Sequence, residues 1–264
     1  MERSIALETA YLSKPGGRGY NEDACGFWSN DSAACWVVSD GAGGHGSGDI
    51  ASRLVVSSIL EAFSANPSVS SDRAIELLRH ANDAVISAKQ SGVTKDDMHA
   101  TVALLMVDRA AESAIWGHVG DTRIYLFRDG DIAYRTRDHS LVQSFIDAGY
   151  SSPSDLRTHP QRSLLTSAIG SAETIELSVA GSLVGLKQGD AFLICTDGWW
   201  EYVDESCMLS RLAGSIEAND WLVSMALQVE RVAKAENDNF SAVGVFYGAR
   251  PPATTVIRPY PSPQ

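Results

Sequence analysis

The chain has 264 residues, enough to bury a substantial core as one large domain or two small ones, and its composition is that of an ordinary globular protein. A formal net charge of −12 without any clustered run of Lys and Arg excludes the usual nucleic-acid binder, because binding a phosphate backbone draws on such clusters. No basic region followed by an apolar core opens the chain, and no segment approaches the ~18 apolar residues of a membrane span. The expectation is a soluble cytoplasmic protein, with Cys25, Cys35, Cys195 and Cys207 as free thiols in a reducing compartment.

Residues 5–13 alternate loosely, as a strand does, until Lys14-Pro15-Gly16-Gly17 signals a turn. Residues 24–29 make a second predicted strand, Asn30-Asp31 a hairpin turn, and residues 33–38 a short apolar strand of the buried kind. That run stops at Asp40. Gly41, Gly43, Gly44, Gly46 and Gly48 follow closely, and a helix begins after Ser47. A carboxylate at a strand end, beside bare backbone and a helix N-terminus, can hold a metal ion, an anion or both. In the helix, Ile50, Leu54, Val55, Ile59, Ala62 and Phe63 keep helical spacing as far as Asn66-Pro67. A second helix, capped by Ser71 or Asp72, turns Ile75, Leu78, Ala81, Val85 and Ala88 to one side and closes at Gly92.

Four strand-like runs follow, at 99–108, 112–120, 122–130 and 131–136. Their links at Arg109-Ala110, Asp121 and Asp129-Gly130 are too short for helical crossovers, so antiparallel pairing is expected. Residues 138–170, with a short helix at 141–148, read as a surface flap. Strands return at 174–180 and 191–196, the latter running into Asp197-Gly198. Helices fit 206–213 and 220–234. The second has Asn219 as its cap and Leu222, Met225, Ala226, Val229 and Val232 facing inward. A last strand covers 240–247. Residues 249–264 are proline-rich and read as a disordered tail, which leaves 1–248 as the folded domain.

Asp40, Asp121, Asp197 and Asp238 all fall at or beside strand ends, and Glu22 and Asp23 lie in the first loop. Any one of them is explained as a turn residue. Their recurrence beside glycines points instead to oxygen ligation of Mg²⁺ or Mn²⁺, two of which can clamp an in-line phosphoryl displacement. Arg18 adds a planar guanidinium fork that matches two phosphate oxygens. Gly41, Gly43 and Gly46 also spell a dinucleotide-type GxGxxG, with Glu61 downstream. A charge at Asp40 next to a pyrophosphate and the antiparallel run that follows both argue against it. No cysteine is followed six residues later by Arg, which excludes a thiolate phosphatase loop.

Arg18-Gly19-Tyr20-Asn21-Glu22-Asp23, Val38-Ser39-Asp40-Gly41-Ala42-Gly43-Gly44-His45, Gly120-Asp121-Thr122-Arg123, Asp138-His139-Ser140, Thr196-Asp197-Gly198 and Asp238-Asn239 stand in the order of a known set of motifs. Over about residues 5–248 the chain resembles the bacterial PP2C-type (PPM) metal-dependent serine/threonine protein phosphatases. The resemblance implies an α+β fold, an αββα sandwich of two antiparallel sheets flanked by helices, with a binuclear Mn²⁺ or Mg²⁺ site at one end. By motif, Asp40 bridges the two ions, the Gly41 carbonyl and Glu22 serve one, Asp197 and Asp238 the other, and Asp121 a third. Arg18 holds the substrate phosphate. Asp23 orients a metal-bound water, and Asn239 stands behind the ligands. The implied reaction is direct attack of a bridging water on phosphoserine or phosphothreonine in proteins, without a phosphoenzyme.

The partners so implied are phosphorylated proteins and a Ser/Thr kinase, with no nucleic acid and no membrane, and the enzyme a monomer. A catalytically inactive phosphoprotein-binding relative is the alternative. This sequence departs from the family pattern at Ala42, where animal members carry His; at Ser167, in place of the usual Arg; and at His99-Ala100-Thr101, in place of Gly-Thr-Thr. His45 is read as structural, which leaves protonation of the leaving group to a water. The segment Thr196-Asp197-Gly198-Trp199-Trp200-Glu201 resembles phosphatases paired with a kinase in type VI secretion control.

Overall fold

The computed structural model describes residues 6–43, 47–91, 98–172 and 174–248. The readings placed on Gly44, His45, Gly46, Gly92 and the tail at 249–264 lie outside the described residues. In chain order the elements are β1 (Leu7–Lys14), β2 (Asp23–Ser29), β3 (Ala33–Ala42), α1 (Gly48–Ala65), α2 (Ser71–Gln90), β4 (His99–Ala100), β5 (Val102–Asp108), β6 (Ser113–Val119), β7 (Arg123–Arg128), β8 (Asp131–Arg135), α3 (Leu141–Asp147), α4 (Asp155–Thr158), β9 (Ser178–Val179), β10 (Val184–Gly185), β11 (Ala191–Cys195), α5 (Asp197–Trp200), α6 (Glu205–Ala213), α7 (Ala218–Val232) and β12 (Phe240–Tyr247).

Two antiparallel sheets result. One runs β1-β12-β11-β7-β8. The other runs β10-β6-β5-β3-β2, with β4 added on β3 and β9 on β6. Side chains alternate across each strand, and here both faces are covered, so β3 and β5 read as unbroken apolar runs. From β3, Cys35 and Val37 pack under Val55, Ile59 and Phe63 of α1 and Leu77 of α2. Its other face sends Ala34, Trp36 and Val38 between the sheets, against Ile124, Phe192 and Val243. On the far side Trp221, Leu222, Met225 and Val229 of α7 cover Tyr125, Phe127, Leu193 and Phe246. The order is helices, sheet, sheet, helices, as the resemblance implies.

Several details differ from expectation. The four runs from 99 to 136 are not one meander. β5–β6 and β7–β8 are hairpins, but β6 and β7 belong to different sheets, and the chain crosses the sandwich at Gly120-Asp121-Thr122. Gly120 makes the turn with φ +94°, where an added Cβ would lie 2.6 Å from the Thr101 side chain. β3 continues to Ala42, so Asp40 is inside a strand, directly opposite Asp23 of β2. Residues 174–180 keep only β9, because the hydroxyl of Ser167 takes both the N–H and the carbonyl of Glu176.

Helix ends and faces shift as well. Ser70 caps α2, its hydroxyl accepting from Arg73 N at 3.1 Å. α7 starts at Ala218, whose N–H donates to Glu8 at 2.6 Å, and Asn219 lies within the helix. Val232 and Ile50 are exposed, while Trp221, absent from the expected inward set, is buried. Among the described residues no helix is long and apolar enough to cross a membrane.

Candidate active site

The expected site residues converge where strands β2, β3, β11 and β12 and the β6–β7 crossover meet. Asp23 and Asp40 face each other across the β2–β3 ladder. Like charges directly opposite destabilise a sheet, so something else must favour the pair. Thr196, just past β11, donates its hydroxyl to Asp23 Oδ2 at 3.0 Å and accepts from Ser241 N at 3.0 Å, which ties the two sheets together. Behind Asp40, Thr101 accepts from the Asp40 N–H at 3.1 Å through Oγ1 and donates its own N–H to the Asp40 carbonyl at 2.8 Å. Thr101 Oγ1 also meets Thr122 Oγ1 at 2.6 Å, which fixes the crossover beside Asp121 to the back of Asp40.

Glu22 and the Gly41 carbonyl come together at the start of α1. A Cβ on Gly48 would stand 2.5 Å from Glu22 Oε1 and 2.8 Å from the Gly41 oxygen, and one on Gly41 would stand 1.9 Å from the Gly48 oxygen. Only glycine lets three backbone segments pass so closely, which accounts for at least these two members of the glycine run. Gly41 also lies within an antiparallel strand, paired with Ala100 of β4, which is not the strand-to-helix turn of a dinucleotide fingerprint.

Asn239 organises the first loop. Its Oδ1 accepts from Glu22 N at 2.7 Å, and its Nδ2 donates to the carbonyls of Pro15 at 2.8 Å and Tyr20 at 2.9 Å. Arg18 is thereby held at the cleft, with Nη2 2.9 Å from Asp238 Oδ2. The cleft has a volume of about 410 Å³ and is lined by Arg18, Arg162, Asp197, Tyr202, Lys234 and Asp238, among others. A larger groove of about 830 Å³ runs along α1 and α2 past Arg73, Glu76 and Asp83, and contains none of the expected site residues.

Electrostatics mark the acids as one group. Burial pushes the Asp40 carboxyl well above the ordinary range, and the charges of Asp23, Asp197, Asp121 and Asp238 push it further. Burial likewise raises Asp197, with Asp121 as the next cause. Asp23 rises to about 7 through burial, opposed by hydrogen bonds from Ser241 and Thr196. Asp121 rises to about 7 through burial and the Asp138 charge, opposed by Arg123. Glu22 is raised by burial and partly relieved by the Gly48 N–H.

Glu22 Oε1, Asp23 Oδ1 and Asp197 Oδ1 are buried without a hydrogen-bond partner among the described residues. Unpartnered buried carboxylate oxygens are costly, and a divalent cation with its bound waters would satisfy them. Among the described residues no three His, Cys, Asp or Glu side chains stand close enough together to hold a metal ion as they are placed. The donor set, carboxylate and carbonyl oxygen throughout, fits Mg²⁺ or Mn²⁺.

Sequence reasoning missed what stands behind these acids. Arg123 and Asp138 form a buried bidentate pair at 2.8 and 2.7 Å, with the Arg123 guanidinium 3.5 Å from the centre of the Trp200 ring. His139 brackets Gly120, its N–H donating to the Gly120 carbonyl at 2.9 Å and its Nδ1 accepting from Gly120 N at 3.2 Å. The Gly120-Asp121-Thr122-Arg123 and Asp138-His139-Ser140 motifs were visible, but nothing in their spacing showed that one grips the other. Arg162 and Lys234 gave no signal at all. The flap is half anchored: Arg157 donates to the Trp200 carbonyl at 2.9 Å, and Arg162 pairs with Glu201.

A family model for protein phosphatase 2C matches residues 18–230. The serine/threonine phosphatase stp of Listeria monocytogenes is 28% identical over 197 residues, 72% of this chain and 77% of that protein. Among solved structures, the catalytic domain of the serine/threonine protein phosphatase PstP in complex with two manganese ions has a TM-score of 0.77 at 23% identity, covering 92% of this chain and 99% of that one. PppA, a regulatory component of the type VI secretion system of Pseudomonas aeruginosa, has a TM-score of 0.71 at 28% identity, with coverage of 92% and 99%. Fold and site therefore define a metal-dependent phosphohydrolase. The chain belongs to the protein phosphatase 2C family, and its activity is that of a bacterial PPM serine/threonine protein phosphatase.

Proposed function

We propose that Glu22, Asp40, the Gly41 carbonyl, Asp197 and Asp238 would hold two divalent ions, Mn²⁺ or Mg²⁺, with Asp40 contributing to both, Glu22 and the Gly41 carbonyl to one, Asp197 and Asp238 to the other, and that Asp121 would serve a third. The observation that carries this reading is the set of buried, unpartnered oxygens on Glu22, Asp23 and Asp197 beside a cleft that holds Arg18. When bound, such ions supply positive charge at the phosphoryl oxygens and lower the pKa of a water. Arg18 grips two oxygens of the phosphoryl group and stabilises the charge that grows there in the transition state. Asp23, held by Thr196 through one oxygen, keeps the other free to orient a water toward phosphorus. Position 42 is alanine, so β3 offers no acid after Asp40, and the leaving seryl or threonyl oxygen takes its proton from water in the open cleft. No side chain acts as a covalent nucleophile.

The substrates are proteins phosphorylated by a Ser/Thr kinase, met by a monomeric, cytoplasmic enzyme whose folded domain is residues 1–248. The 28% identity to PppA, a regulatory component of a type VI secretion system, supports a role in type VI secretion control. The test is phosphate release from phosphoserine and phosphothreonine peptides with Mn²⁺ and with excess chelator. Metal-independent turnover, or full turnover by Asp40→Asn, would overturn the site assignment. A phosphoproteome unaltered by loss of the protein would overturn the substrate reading.

A further inference from the structure

Trp200 lies three residues beyond Asp197 and is 1% exposed, at the end of the single turn α5. Three separate parts of the molecule meet on it. Its indole Nε1–H donates to the carbonyl of Asp121 at 3.0 Å, the face of its ring carries the Arg123 guanidinium at 3.5 Å, and its own carbonyl accepts from Arg157 of the flap at 2.9 Å. Arg123 is itself locked by Asp138, both side chains being fully buried.

Asp121 sits on a crossover of three residues that belongs to neither sheet, so the strand ladders do not fix it. Asp197 is fixed by the end of β11. Trp200 is the rigid strut between the two. The neighbouring Trp199 is as deeply buried, yet its Nε1 has no hydrogen-bond partner among the described residues. The two adjacent indoles thus differ in the contact that matters.

We propose that Trp200 is a positioning residue, whose indole N–H sets the Asp121 backbone beside Asp197 so that the Asp121 carboxylate can serve the third ion. The inference rests on the metal reading given above. It also gives Trp200, within the Thr196–Glu201 segment, a role that the reaction alone does not assign.

Trp200→Phe keeps an aromatic face for Arg123 and removes the donor. Mn²⁺ binding to the full chain is followed by calorimetry, and the expected change is a rise of about three- to tenfold in the Mn²⁺ concentration that fills the weakest site, the range one hydrogen bond covers. The tighter sites keep their midpoints, and Trp199→Phe titrates like the unsubstituted protein. In an Asp121→Ala background, Trp200→Phe adds no further shift. Should Trp200→Phe fail to fold, Trp200→Tyr also lacks the indole N–H and is read in the same way. An unchanged titration of Trp200→Phe, or an equal shift in Trp199→Phe, would overturn the inference while leaving the metal reading intact. Absence of any Mn²⁺ binding by the unsubstituted protein would overturn both.

Discussion

Arg18 Nη2 stands 2.9 Å from Asp238 Oδ2, so the cation assigned to the phosphate and a carboxylate assigned to a metal satisfy each other across the cleft. Both side chains are about half exposed, and such pairs contribute roughly 0–1 kcal/mol. The contact is therefore easily exchanged, Asp238 for an ion and Arg18 for phosphate oxygens. Arg18→Ala is expected to lower kcat/KM by about 10- to 100-fold, the range for a lost hydrogen bond to a charged group, without weakening Mn²⁺ binding. Steady-state kinetics on a phosphopeptide, with a Mn²⁺ titration beside it, checks both. Unchanged kcat/KM would remove Arg18 from the phosphate site.

Asp40 sits opposite Asp23 and feels three further acids, an arrangement that favours function over stability. Asp40→Asn removes a carboxyl that burial and the neighbouring acids make costly to ionise. The expected outcome is a higher melting temperature of the metal-free protein together with loss of more than about 100-fold in Mn²⁺ affinity, beyond what losing a residue that merely supports a metal costs. Differential scanning calorimetry in chelator, followed by a Mn²⁺ titration, gives both numbers. A variant both less stable and equally metal-avid would contradict the account.

Most of the fold was legible because its signals are local. The helical spacing of Leu54, Val55, Ile59 and Phe63, and the apolar run of β12, each follow from one periodicity acting within one element. The β6–β7 crossover was not legible, since a three-residue link reads as a hairpin whether the next strand pairs with its neighbour or joins the opposite sheet. Asp40 was found as an acid after an apolar run, but its place inside β3 depends on pairing with β2 and with β4, which the sequence does not reveal. Asp138 and Arg123 lie fifteen residues apart, and only the packing of the Asp138-His139-Ser140 segment under the crossover shows that they form one buried pair.

Asp23 and Asp121 give the metal-free protein a distinctive pH dependence. Each holds its proton to about pH 7 when folded and loses it near 3.8 in an unstructured chain. Between these values the folded state binds more protons, so their contribution to stability is greatest at low pH and is lost as pH rises from about 4 to about 7. His118, stacked on His139 and lowered to about 4 by burial, acts in the opposite sense, its share being lost as pH falls from 6.5 toward 4. Comparison with Asp23→Asn separates the two. In chelator the difference in melting temperature between this variant and the unsubstituted protein should widen from pH 5 to pH 7.5. Saturating Mn²⁺, which competes with those protons, should reverse it. A difference independent of pH would show that Asp23 is ionised throughout.

Asn239 makes one amide serve three backbone groups of the loop that carries Arg18 and Glu22. In Asn239→Ala the Glu22 N–H and the Pro15 and Tyr20 carbonyls lose this partner at once. A buried polar group left unpaired costs about 1–3 kcal/mol, and water can enter at the loop, so a loss of about 2–4 kcal/mol in folding stability is expected. The functional effect follows from geometry: Arg18 and Glu22 loosen together, so KM for a phosphopeptide and the Mn²⁺ midpoint should rise in parallel. Asn239→Asp tests the direction of the argument. Its carboxylate can still accept from Glu22 N but can donate to neither carbonyl, and it adds charge beside Asp238. It should therefore lose the hold on Pro15 and Tyr20, raising KM as the alanine variant does, while the added carboxylate limits the loss of Mn²⁺ affinity. If instead both variants keep the KM and the Mn²⁺ midpoint of the unsubstituted enzyme, the loop is held by contacts other than Asn239.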